Sequence, residues 1–474
     1  MNKVKENSKE LIKNSLIILL GKGSTQLIVF LLLPLYTAVL TTEQYGVMDL
    51  ITTYVTLLSP LISLQLENAI FRFLIDNRKN ENNKKTYIMS SALTLGVLLI
   101  IGLLIITTIT LCFKIKYGFY LAFLVLITMV SNYLLSIARG LGRNIDYAKG
   151  SIIAGLTSVI LNLILLLKFK LGVSGVFISQ IISNFACSCY CFFKLDIIKY
   201  LKLKHCDKNK VIELLKYSLP LVPNSVNWWI INASDKTIVS YFLGVASNGI
   251  YSVSNKFSAA FIAVYNIFNL SWSESASIHI NDNSKDRDEF FSSTFNNMYK
   301  LFYFLSLLLI SILPFLFKIL VDESYIEAYK YIPFLLFGSI LNVIVGLLSG
   351  IYIAKKLTKE VAATSLFAAI INVVTDFFLI RRIEIWAAVF STIIAFGSMT
   401  IYRMIDIKKY VELKIDYNFL ILSFILFFAV TFVYLRNNLI LNILNFCVCL
   451  IFLFAFNKDI IKHLFATMLK KIGK

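Results

Sequence analysis

Fourteen apolar stretches, an alternation of basic and base-poor loops between them, and a weak internal repeat predict the fold class. It is an all-α polytopic membrane protein of about 14 transmembrane helices, two pseudo-symmetric six-helix lobes plus two C-terminal helices. The stretches run at 12–40, 47–74, 87–112, 117–138, 150–167, 173–193, 218–243, 249–276, 291–317, 331–353, 361–380, 385–402, 417–435 and 439–456. Most come close to the ~20 apolar residues that a helix rising ~1.5 Å per residue needs to cross a ~30 Å hydrocarbon core. They lack the two-residue alternation of a barrel strand, so each must satisfy its backbone polar groups within itself, as a helix does. With 58% hydrophobic and 15% charged residues, the chain has no room for a soluble domain.

Orientation follows from the bases. With the N-terminus placed inside, the inner segments (1–14, 76–86, 139–149, 194–216, 277–290, 354–360, 403–416 and 457–474) hold 32 Lys and Arg and the outer loops nine. Lys and Arg are retained on the cytoplasmic side during insertion, so both termini are expected there, in a multi-pass protein of a bacterial cytoplasmic membrane. Abundant Ile, Lys, Asn, Phe and Tyr suit a bacterial chain encoded by an AT-rich genome. Lys3, Lys5, Lys9 and Lys13 precede an apolar run too long for a signal peptide and without a small-residue cleavage site, which reads as an uncleaved first helix.

The repeat has a period near 205 residues, and repeats of this kind are common in transporters. The outer turn Leu40 to Gly46 returns as Leu243 to Gly249, each Leu-x5-Gly. Leu134-Leu-Ser136 with Arg139 returns as Leu347-Leu-Ser349 with Lys355. Asn162, ahead of Gly172 and Gly175, returns as Asn372, where Trp386 and alanines replace the glycines. Six stretches separate the copies, so both halves have the same topology. The expected domains are an N-terminal lobe (1–195), a cytoplasmic linker (196–216), a C-terminal lobe (217–410), two additional helices (411–457) and a basic tail (458–474).

Composition and motifs exclude several functions. The net charge of +19 lies mainly in the inner loops and tail and matches anionic inner-leaflet lipid, not nucleic acid. Gly21-Lys22-Gly23-Ser24 lacks the spacing of a phosphate-cradling P-loop. The three histidines (His205, His279, His463) stand apart from the Cys187, Cys189 and Cys191 cluster, which reads as buried thiols; no metal, cofactor or catalytic set is expected. No outer loop exceeds about 13 residues, the longest being 318–330, which disfavours a polymerase or ligase of lipid-linked glycans.

Charges inside the membrane carry the functional signal, because a charge in hydrocarbon costs ~2.5–3.5 kcal/mol and usually faces a cavity or a partner. Lys22, Arg72, Lys236 and Lys256 fall in stretches one, two, seven and eight, the leading pair of each repeat. They are expected to form a cationic substrate-binding cavity, Lys22 and Arg72 inward and Lys236 and Lys256 ~10 Å below the outer surface. Glu67, Asp235 and Glu274 are candidate coupling or ion-pair carboxylates. The competing reading is structural pairing, Asp235 with Lys256, Lys22 with Glu67 and Arg72 with Glu274. Lys300 is expected to snorkel to the headgroups. Asn224, Asn227, Trp228, Trp229 and Asn232 make stretch seven aromatic and amide-rich, a composition suited to sugar rings. Pro220 and Pro223 would bend its start.

The stretches Gln65-Leu-Glu67-Asn-Ala-Ile-Phe-Arg72-Phe73 and Tyr217-Ser-Leu-Pro220-Leu-Val-Pro223-Asn-Ser-Val-Asn-Trp228-Trp229-Ile-Ile-Asn232-Ala-Ser-Asp235-Lys236 are the most specific parts of a resemblance that covers nearly the whole chain. Leu243-Gly244, Gly249-Ile-Tyr251 and Lys256 extend it. The chain resembles the Wzx-type polysaccharide flippases of the multidrug/oligosaccharidyl-lipid/polysaccharide exporter superfamily. The resemblance implies translocation of undecaprenyl-pyrophosphate-linked oligosaccharide from the inner to the outer leaflet by alternating access, for cell-surface polysaccharide biosynthesis. It implies the lipid-linked oligosaccharide and anionic lipids as partners, with a polysaccharide polymerase as a protein partner, and no enzymatic activity. Lys stands at 22 and 236 where Arg is frequent in relatives, so these would act as point charges and not as bidentate grips. The alternative within the superfamily is a multidrug cation antiporter, which would want unpaired acids.

Overall fold

The computed structural model describes residues 30–280 and 282–458. Lys22, most of the first apolar stretch and the tail beyond Lys458 lie outside them. The described residues form helices joined by turns, with no strand among them. In chain order the helices are α1 (Leu33–Val39), α2 (Thr42–Ile62), α3 (Leu66–Asp76), α4 (Glu81–Phe113), α5 (Gly118–Gly140), α6 (Asn144–Asn162), α7 (Gly172–Lys194), α8 (Lys208–Ser218), α9 (Leu221–Leu243), α10 (Val245–His279), α11 (Ser284–Leu320), α12 (Ile332–Ala354), α13 (Thr358–Ile383), α14 (Ile385–Asp406), α15 (Tyr417–Leu435) and α16 (Leu439–Phe456).

Among the described residues, eleven helical segments are long and apolar enough to cross a membrane. Two long helices, α9 and α10, are not among them. These are the ones that carry Asn224, Asn227, Asn232, Asp235 and Lys236, and Lys256 and Glu274. Polar residues lower the mean hydropathy of a helix that still has the length of a span.

The chain folds as two compact units, Met1–Ser240 with Val245–Gly249, and Tyr241–Gly244 with Ile250–Lys474. The division falls at the C-terminal end of α9, so the linker and most of stretch seven belong with the first unit.

In the first unit, α2 starts at a capping box in which Thr41 Oγ1 accepts from Gln44 N–H and the Gln44 side chain accepts from Thr41 N–H, both at 3.2 Å. The repeated Leu-x5-Gly turns meet here. A Cβ on Gly46 would strike the carbonyl of Val245, and one on Gly249 the carbonyl of Thr42, and Asn248 Nδ2 donates to Gly46 O at 3.1 Å. The offset that takes Thr42 to Val245 also takes Gly46 to Gly249, so the contact is reciprocal. Only glycine allows backbones to approach this closely.

The Asn echo is equally concrete. Asn162 Nδ2 on α6 donates to Ser179 Oγ on α7 at 2.8 Å in the first unit, and Asn372 Nδ2 on α13 donates to Ser391 Oγ on α14 at 3.3 Å in the second. Both asparagines are wholly buried. Where the first copy has glycine, Trp386 packs on Tyr331 and Phe334 at 4.9 and 5.1 Å between ring centroids.

In the second unit, α15 and α16 pack on α11 through Tyr299, Tyr303, Phe304, Phe419 and Phe456. Lys300 Nζ meets Asp416, the N-cap residue of α15, at 2.7 Å, where a carboxylate also suits the helix dipole.

Candidate functional site

The second apolar stretch is broken. After Pro60, α2 closes with Leu64 at φ 51° and Gln65 at φ 59°, and Gln65 N–H reaches back to Pro60 O at 3.2 Å while Leu64 N–H reaches Leu61 O at 3.4 Å. This is the closure that usually places glycine in the left-handed position. Here Leu and Gln occupy that region, at a cost of order 1 kcal/mol each, and α3 restarts at Leu66.

The restart orients two faces. Leu66, Ala69, Ile70 and Leu74 are fully buried. Gln65, Asn68 and Arg72, at spacings of three and four, lie along another face and line a cavity of about 370 Å³. Leu221, Asn224 and Ser225 line it from the first turns of α9, with Tyr217 from α8 and Phe71 from α3. Gln65 Nε2 donates to Ser225 Oγ at 2.5 Å, Ser225 Oγ donates to Leu221 O at 3.3 Å, and the Asn68 amide donates to Gln65 Oε1. A directed chain of amides and hydroxyl thus ties α3 to α9.

Arg72 is half-exposed at the cavity, and its Nη1 donates to Asp76 Oδ1 at 2.7 Å, one turn on along α3. Tyr217 is held by an edge contact with Phe73, which stacks on Tyr87. Lys210 Nζ of α8 reaches Glu213 at 2.8 Å and Tyr87 OH at 2.9 Å, and the Glu213 carboxylate with the Tyr87 hydroxyl raises the lysine above its ordinary value. Ser90 Oγ accepts from Asp207 N–H at 3.0 Å. These contacts dock α8 on α4 and set where α9 begins. Pro220 falls in the α8–α9 turn and Pro223 in the first turn of α9.

Arg72 and Asn224 are therefore the two sequence-selected residues that share this cavity. Lys236 forms a buried ion pair with Asp49 of α2 at 2.8 Å, the side chains 16% and 5% exposed. Asp235 beside it is buried and Glu67 half-buried, neither lining the cavity. Trp229 Nε1 donates to Thr53 O at 3.0 Å and stacks on Tyr54, so it packs α9 on α2. Trp228 is exposed, Asn227 half-buried, and the Asn232 amide donates to Trp228 O on its own helix at 2.7 Å. In the second unit Lys256 is half-buried and Glu274 exposed, both on α10.

Sequence reasoning missed Asp49, Gln65, Asn68, Ser225 and Tyr217. Asp49 was accessible to it, as an acid just inside an apolar stretch. The 65, 68, 72 spacing was accessible as a polar face. Ser225 and Tyr217 lie in a stretch that carries the family resemblance, but their place at the cavity depends on the chain break at Leu64.

A helix broken beside a polar cavity, within a chain of many apolar helices, is a pattern found in membrane transporters. The model of the polysaccharide biosynthesis protein family matches residues 11–273, more than half of the chain, and the protein belongs to that family. Among curated proteins none gives a significant match.

Solved structures share the fold. An inward-facing multidrug resistance MATE family transporter of the MOP superfamily superposes with a TM-score of 0.70 at 10% identity, over 81% of this chain and 95% of that one. The lipid II flippase MurJ in an inward closed conformation gives 0.61 at 18% identity, over 96% and 99%. A MOP superfamily transporter from Pyrococcus furiosus, described as having a binding pocket of reversed polarity, gives 0.60 at 12%, over 84% and 96%. The chain thus has the MOP superfamily fold expected from its sequence.

Proposed function

We propose that the protein is a flippase that moves undecaprenyl-pyrophosphate-linked oligosaccharide from the inner to the outer leaflet of a bacterial cytoplasmic membrane, by alternating access, with both termini in the cytoplasm. The observation that carries this reading is the cavity at the α3 restart. An arginine supplies charge for phosphate, and adjacent amides, a serine and a tyrosine supply the mixed donors and acceptors that a sugar needs.

Arg72 takes the pyrophosphate first, the neighbouring polar groups contact sugar hydroxyls, and Lys22, Lys236 and Lys256 are the further cations that meet the headgroup as it crosses. Glu67, Asp235 and Glu274 are the carboxylates for ion or membrane-potential coupling. The prenyl tail stays in lipid, anionic lipids surround the basic inner loops, and a polysaccharide polymerase uses the product outside. The MurJ likeness agrees with a lipid-linked cargo. A multidrug cation antiporter is the second reading, favoured by the MATE likeness. The cationic, amide-lined cavity argues against it.

Depletion of the protein in its host tests the proposal. Lipid-linked repeat units should accumulate facing the cytoplasm, and the wild-type chain but not Arg72→Gln should clear them. Normal surface polysaccharide in the depleted strain, with altered efflux of cationic drugs, would instead support the antiporter.

A further inference from the structure

Residues 194–216, which join the sixth and seventh apolar stretches, hold seven lysines and three acids. Two of the acids are engaged. Asp207 caps α8 by accepting from Asn209 N–H at 2.8 Å, and Glu213 meets Lys210. The third, Asp196, stands at φ 50° at the start of the segment. Ahead of α8 the chain forms two ordered 3-10 turns, Ile197–Lys199 and Leu203–His205, with Tyr200 N–H donating to Ile197 O at 2.9 Å and His205 N–H to Lys202 O at 2.8 Å. Leu195, Ile197 and Tyr200 are buried and dock these turns. Ile198, Leu201 and Leu203 are instead 64%, 40% and 74% exposed, and they are interleaved with the exposed Lys199, Lys202 and Lys204. Among the described residues those three lysines enter no ion pair, and Lys199 Nζ lies 4.9 Å over the Tyr200 ring.

Contacts with α4 fix the level of this segment. Asp207 N–H donates to Ser90 Oγ, and Ser90 lies inside the apolar part of α4 that opens at Tyr87. Partial desolvation, then Lys204, Lys85 and Lys202, hold the His205 imidazole below its ordinary value, so the basic start of α4 adds to the same positive field. A segment tied to the first apolar turn of a spanning helix lies at the bilayer surface, where exposed aliphatic side chains have hydrocarbon within reach. A soluble polyanion would suit the lysines but leave those side chains in water, whereas an anionic bilayer satisfies both.

We propose that this segment is a lipid anchor, in which Ile198, Leu201 and Leu203 enter the adjacent leaflet while Lys199, Lys202 and Lys204 take the phosphates of anionic phospholipid at its surface. The anchor does not depend on what the cavity carries. Basic loops in general are attracted to an anionic surface, but here aliphatic groups set between the lysines insert into it. The same segment runs into α8, whose Tyr217 lines the cavity, so the anchor holds the α8–α9 turn at a set depth.

The test places the full chain carrying Leu203→Trp in phosphatidylcholine nanodiscs whose minor lipid, either phosphatidylglycerol or phosphatidylcholine, has brominated chains that quench an indole they touch. The emission added over wild type should be quenched by both lipids, and by the brominated phosphatidylglycerol at about fivefold lower mole fraction, the worth of one lysine at an anionic surface. Combining Lys199→Gln, Lys202→Gln and Lys204→Gln should bring the two lipids level. Ile198→Trp repeats the measurement at the other end of the segment if Leu203→Trp does not fold. An indole reached by aqueous acrylamide and by neither lipid would overturn the inference. Equal quenching by the two lipids with the lysines present would overturn it as well, as would a preference for phosphatidylglycerol that survives their replacement. Relief of quenching by added polyglutamate would assign the surface to a soluble acidic partner and overturn it too.

Discussion

The two units are built on one repeat yet treat their leading stretches in opposite ways. In the first, the helix that follows the Leu-x5-Gly turn breaks at Leu64 and Gln65 and restarts beside a polar cavity. α10, which belongs to the second from Ile250 onward, follows the matching turn and runs unbroken from Val245 to His279. At the level along the helix where the first unit opens, the second is filled by Trp272, 2% exposed, whose Nε1 donates to Leu347 O at 2.9 Å. Gly350 makes room for that ring, as Gly346 does for Tyr265. At matching levels, then, one stretch leaves polar space and the other is filled by aromatic packing.

Breaking the closed side should have the largest effect. Trp272→Ala removes a buried ring and its hydrogen bond and should cost ~3–5 kcal/mol, seen as a fall in the unfolding temperature in detergent. If the ring merely lines open space, the loss will be far smaller. The Asp49–Lys236 pair is next. Lys236→Met alone leaves a buried carboxylate and should cost ~3–5 kcal/mol, while the double variant Asp49→Leu with Lys236→Met should recover most of it. A double variant no more stable than the single would show that the pair is not isolated.

A finer probe addresses the polar side. Ser225→Ala strands the Gln65 amide and should lower stability by ~1–3 kcal/mol and slow clearance of lipid-linked units, with Ser225→Thr close to wild type. The smallest effect concerns Lys300 and Asp416. The Lys300 ammonium, then the Phe419 N–H, hold the Asp416 carboxyl below its ordinary value. Its contribution is therefore present above the unfolded carboxylate range and is lost as pH falls through the lowered value. Because both groups are partly exposed, Asp416→Asn should change stability by under ~1 kcal/mol at neutral pH and flatten the acid limb of a stability–pH curve.

Much of the fold was legible because apolar length and loop charge are additive properties of a sequence. The repeat was legible where backbones touch, as at Gly46 and Gly249, or where a buried amide must be satisfied, as at Asn162 and Asn372. Arg72 and Asn224 were legible as polar residues where hydrocarbon should be. The break itself was not, because Leu64 and Gln65 carry none of the glycine or asparagine that normally signals a left-handed closure. Without the break, Gln65, Asn68 and Ser225 cannot be placed on one cavity. The pairing of Lys236 with Asp49 was not legible either, because the two lie far apart in the sequence and ion pairs between distant helices leave no local signal.

The central claim is that the cavity at the restart of the second helix holds the phosphorylated headgroup of a lipid-linked cargo. Its most direct test is translocation of lipid-linked oligosaccharide, extracted from the depleted strain, in proteoliposomes carrying wild type, Arg72→Gln or Arg72→Lys at equal reconstituted amounts. Arg72→Gln should fall to the rate of protein-free vesicles, while Arg72→Lys should keep a measurable fraction of the wild-type rate. Translocation by Arg72→Gln at the wild-type rate would contradict the claim.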